Sequence, residues 1–71
     1  KEGFRSADTA QNILVVKTVS GMAMAVAAAL DHMQCDEIVG SIAGDDTIMC
    51  AVRTSADAQN LLVRLKKLAT E

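Results

Sequence analysis

The residues best placed to do chemistry are Gly44-Asp45-Asp46-Thr47, which lie between two apolar runs. Adjacent carboxylates repel one another, so a hairpin chosen for stability alone rarely carries two of them at its tip. Gly-Asp is also ordinary turn chemistry, so the tip reads equally as a turn and as a site. A lone carboxylate pair is a poor calcium site, because that ion takes about six to eight oxygens. An organic cation suits it better: a guanidinium presents planar, bidentate donors that match carboxylate geometry. Neighbouring side chains in an extended segment point to opposite sides, so Asp45 and Asp46 can serve two sites, or one site and a partner subunit. Where copies of the chain meet around a threefold axis, such tips gather negative charge that a bound cation relieves. Binding then strengthens the assembly.

The other reactive side chains point to no second chemistry. His32 is the only histidine and has polar neighbours, which suits a solvated helix end. Cys35 and Cys50 lie in apolar surroundings with no CxxC spacing and read as reduced core thiols. Met22, Met24, Met33 and Met49 read as core or interface filler. No Ser/His/Asp set, phosphate-binding loop or zinc spacing is present, so no catalytic residue, metal site or cofactor is expected.

The elements that must position the tip follow from patterning. Gly3–Ala7 reads as an edge strand and 8–12 as a turn. Ile13–Thr18 is a run of β-formers, apolar on both faces like a central strand. Ser20 is an expected N-cap for an alanine-rich helix over Gly21–Met33, with Met22, Val26, Leu30 and Met33 on one face. Ile38–Ala43 and Thr47–Arg53 form a hairpin around the Gly-Asp-Asp turn. Thr54 or Ser55 caps a last helix whose stripe is Leu61, Leu62, Leu65 and Leu68, with Asp57 near its positive end.

The order β-β-α-β-β-α predicts an α+β, two-layer α/β sandwich formed by one domain over residues 1–71. Both helices on one sheet face leave the other face bare. In a chain of 71 residues, 51% apolar and 1% aromatic, the cover expected for that face is another copy. The net charge of -2 and scattered basic residues (Lys1, Arg5, Lys17, Arg53 and the 64–67 group) exclude direct DNA binding by this segment. No apolar stretch is long enough for a membrane span, no signal peptide is evident and the first residue is not Met. A cytoplasmic segment of a longer protein is therefore expected.

The run from Asp36 to Thr47, with Arg53-Thr54 before the last helix, resembles the C-terminal domain of the bacterial arginine repressor family. Val16-Lys17-Thr18-Val19-Ser20-Gly21, leading into an alanine-rich helix with Leu30-Asp31, adds to the resemblance, which covers nearly the whole chain. The resemblance implies homotrimers that pair into a homohexamer, with L-arginine as co-repressor at the trimer–trimer interface. It also implies a preceding winged-helix domain, absent here, that contacts operator DNA. By resemblance, Asp45 and Asp46 hold the guanidinium, one of them across the interface, while Asp31, Ser41 and Ala43 line the ligand site. Ser41 keeps a hydroxyl where the family usually has Thr, and Ser20 stands where it usually has Pro. Met24 replaces a Gln or His near the ligand's amino-acid head, a loss that weakens or alters arginine binding. Two other readings stay open: an oligomerisation module without arginine binding, and a small enzyme of the pterin carbinolamine dehydratase type. A single histidine speaks against the second.

Overall fold

The structure, a computed structural model, describes residues 3–70; Lys1, counted above among the scattered basic residues, lies outside them. Alternating side chains build the sheet. In β2 (Ile13–Thr18), Leu14, Val16 and Thr18 are buried, while Ile13 and Val15 are half-buried on the opposite face and Lys17 is exposed there. β4 (Thr47–Val52) repeats the pattern, burying Ile48, Cys50 and Val52. Leu14 faces Cys50 and Val16 faces Ile48 across the antiparallel pair, so one sheet face is continuous core. β1 (Phe4–Ala10) and β3 (Ile38–Ala43) flank this pair at the edges, in the order β1-β2-β4-β3.

Two helices cover the buried face. The first, α1 (Ala23–His32), buries Ala23 and Leu30, with Val26 and Ala27 partly covered against the core. The second, α2 (Ser55–Ala69), buries Ala58, Leu61, Leu62 and Leu65. This is the α+β architecture expected from the sequence, with the order β-β-α-β-β-α. Thr54 caps α2, its side-chain oxygen accepting from the Asp57 amide at 3.0 Å. Thr54→Ala is expected to lower stability by about 1 kcal/mol, read as a lower denaturant midpoint at unchanged slope.

Four local expectations are corrected. β1 runs to Ala10, so the turn shrinks to Gln11-Asn12, with Gln11 at φ 57; pairing with β2 overrides the turn chemistry of 8–10. Ser20 does not cap α1, which starts at Ala23 after Met22 and has no side-chain cap. Gly21 turns the chain into the helix at φ 79, where a side chain would be strained. Leu68 is 43% exposed, on the stripe's face but past its covered end.

The other sheet face carries no helix. Val15, Met49 and Ile42 form an apolar row in register across β2, β4 and β3, beside the row of Ile13, Ala51 and Gly40. Ile42 is 79% exposed and Met49 54%, which is unusual for large apolar side chains clustered on one surface. Toward the hairpin the apolar rows end at a polar one, Ser6, Lys17 and Thr47.

Candidate functional site

The Gly-Asp-Asp tip joins β3 to β4 and is closed by the Gly44 amide donating to the Thr47 carbonyl at 2.8 Å. It is not a free loop. The Asp46 carbonyl accepts from the Thr18 amide at 2.8 Å, anchoring the tip to the end of β2. The Asp45 carbonyl accepts from the amides of Gly21 and Ala23 at 3.1 and 3.2 Å. The cap of α1 is therefore this carbonyl from the hairpin, supplied where Ser20 was expected to act. With their backbones bound from behind, Asp45 and Asp46 remain exposed to solvent.

The two carboxylates differ. Asp46 Oδ1 accepts from the Thr47 hydroxyl at 2.9 Å, and that hydroxyl accepts from Lys17 Nζ at 3.0 Å. Among the described residues, no donor engages the Asp45 carboxylate. Lys17 and Thr47 belong to the uncovered sheet face, so Asp46 leans toward its rim. The concavity on that face, about 690 Å³, has Ile13, Ile42, Met49 and Ala51 in its lining and reaches the hairpin at Gly44 and Thr47.

The remaining expected site residues fall into two groups. Asp31 and Ser41 share a cleft of about 190 Å³ between the end of α1 and the start of β3. Met24 is 74% exposed and directly follows Ala23, whose amide binds Asp45. Ala43 is half-buried, two residues before Asp45 on β3. Asp31 lies eight residues beyond Ala23 on the helix, about 12 Å along its axis. One chain thus gathers Asp45, Asp46, Met24 and Ala43 near one end of α1 and Asp31 at the other, with Ser41 between them, lining both the Asp31 cleft and the concavity that reaches Gly44 and Thr47. Two participants had no assigned role in the sequence, Lys17 and Thr47. The alternation of Lys17 within β2 placed it on the open face but named no partner.

Burial pushes the Cys50 thiol above its ordinary value of 9.0, helped by the nearby Asp31 carboxylate and then by Cys35. Cys50 is the cross-strand partner of Ser41, so this buried thiol backs the Asp31–Ser41 cleft and stays neutral and inert at physiological pH. Because the thiol's value is raised in the folded state, its contribution to stability is complete below the ordinary value and is lost as pH rises toward the folded one. Stability is expected to decline as pH rises above the thiol's ordinary value of 9.0, and Cys50→Ala to flatten that decline. An unchanged slope in the variant would remove the thiol from the account. Among the described residues, no three His, Cys, Asp or Glu side chains group as a metal site requires. No described helix is long and apolar enough to cross a membrane.

The family model described as "Arginine repressor, C-terminal domain" matches residues 1–67. The chain belongs to the arginine repressor C-terminal domain family. Relatives agree: an arginine repressor of Lachnospira eligens is 66% identical over 96% of this chain, which covers 45% of the relative. One from Lachnoclostridium phytofermentans is 63% identical over the same shares, and one from Acetivibrio thermocellus 50% identical over 96% of this chain and 44% of its own length. The chain thus spans less than half the length of these arginine repressors, which are named as regulators and not as enzymes.

Proposed function

We propose that this chain is the L-arginine-sensing oligomerisation domain of a transcriptional regulator of arginine metabolism. The observation that carries the reading is the tip: two exposed carboxylates on a backbone bound by the Thr18, Gly21 and Ala23 amides, at the rim of an uncovered apolar sheet face. A guanidinium fits the carboxylate pair, and a second copy fits the face. The separation of Asp45 and Asp46 from Asp31 along one chain supports a ligand held between copies. The guanidinium then meets the tip of one copy, while Asp31 and Ser41 of a facing copy take the amino-acid head. Trimers paired into hexamers provide such facing copies, and ligand shared between them strengthens the assembly. DNA contact belongs to a basic domain elsewhere in the regulator, which works in the cytoplasm where its operator lies. Met24 offers no hydrogen bond to the ligand's head, so binding is expected to be weaker than a polar residue there would allow.

Calorimetric titration tests the reading. L-arginine is expected to bind at micromolar to millimolar concentration, and L-citrulline, whose ureido group is neutral, much more weakly. No heat with millimolar L-arginine would leave an oligomerisation module without a ligand.

A further inference from the structure

We infer that Thr47 is a positioning residue for ligand recognition: with its proton directed by Lys17, it fixes the Asp46 carboxylate in the orientation that selects a guanidinium. The inference rests on the reading of the tip as the arginine site and adds to it a part played by residues that need not touch the ligand.

The chain of bonds has one direction. A lysine ammonium only donates, so the Lys17 contact at 3.0 Å uses a lone pair of the Thr47 hydroxyl. That hydroxyl has a single proton, which goes to Asp46 Oδ1 at 2.9 Å. Lys17 and Thr47 are direct cross-strand partners on β2 and β4, so the base of the chain is set by the sheet. The Asp46 backbone is fixed from the other side by the Thr18 amide at 2.8 Å. Both ends of the side chain are thereby held, while Oδ2 stays open. An aspartate on a turn otherwise samples several rotamers, and ordering it on binding costs affinity. The orientation matters most for a planar, bidentate donor, which gains its second bond only when the carboxylate plane is aligned. A neutral ureido group presents similar paired donors but without the charge that strengthens each bond, so it gains less from that alignment. The Lys17 ammonium also reaches Asp46 through the hydroxyl rather than directly, which leaves the carboxylate available to a second cation.

The test uses Thr47→Val, which keeps the β-branched shape and removes the hydroxyl, and Thr47→Ser, which restores it. Each is titrated with L-arginine and with L-citrulline, beside the unaltered chain and Asp46→Asn. Thr47→Val is expected to weaken L-arginine binding about tenfold, the loss of one bond to a charged group, with little change for L-citrulline and an unchanged thermal midpoint. Thr47→Ser is expected to recover most of the preference for L-arginine. Unchanged L-arginine affinity in Thr47→Val, with Asp46→Asn impaired, overturns the positioning role and leaves the site intact. Equal losses for both ligands, or no recovery with Ser, overturn it as well. Failure of the unaltered chain to bind L-arginine overturns the site reading, and this inference with it.

Discussion

Asp46→Asn is expected to abolish the L-arginine response while leaving the fold in place. The substitution keeps the side-chain oxygen that accepts from Thr47 and the backbone carbonyl that accepts from Thr18. What it removes is the charge that a guanidinium needs. Breaking a desolvated charge pair by neutralising one partner costs about 2–5 kcal/mol, or about 30- to 5,000-fold in affinity. Circular dichroism and thermal melting should match the unaltered chain, because Asp46 is exposed and lies outside the core. Asp45→Asn should also weaken binding. Its carboxylate lacks the Thr47 anchor, so it begins with more freedom to lose on binding. Calorimetry of both variants checks the assignment, and L-arginine binding unchanged in Asp46→Asn would refute it.

Met49→Glu is expected to dissociate the assembly. Met49 sits at the centre of the uncovered face, facing Val15 on one side and Ile42 on the other. Burying an unpaired carboxylate there under a second copy costs several kcal/mol in every interface formed. The same substitution costs the folded single chain little, because Met49 is 54% exposed and takes no part in the core beneath the helices. Sedimentation should show a smaller species at concentrations where the unaltered chain is assembled, with an unchanged far-ultraviolet spectrum. The L-arginine response should fall too, although no tip residue has been altered. An unchanged sedimentation coefficient would mean that copies meet elsewhere.

The elements legible in the sequence were those specified locally. Ile38–Ala43 matches β3, and Thr54 with Asp57 three residues on marks the start of α2. Apolar residues on both faces of Ile13–Thr18 foretold a central strand with an uncovered side, visible in half-buried Ile13 and Val15. Features set by distant pairing were not legible. The cap of α1 is the Asp45 carbonyl, brought from the far hairpin by the sheet, so Ser20 looked like the better candidate. Asp8, Thr9 and Ala10 are turn formers that pairing with β2 holds extended. Leu68 keeps helical spacing with Leu61 and Leu65, yet at 43% exposure it lies past the end of the covered stripe. At the site, Gly44-Asp45-Asp46 stood out by residue type alone. The Lys17–Thr47–Asp46 chain depends on the register of β2 against β4, which no local pattern records.

Sedimentation velocity with and without millimolar L-arginine tests the central claim most directly, with L-citrulline as control. If the tip aspartates hold a guanidinium between copies of this chain, L-arginine shifts the population to a heavier, more slowly dissociating assembly and L-citrulline does not. The same distribution in all three conditions would contradict an arginine-sensing oligomerisation domain.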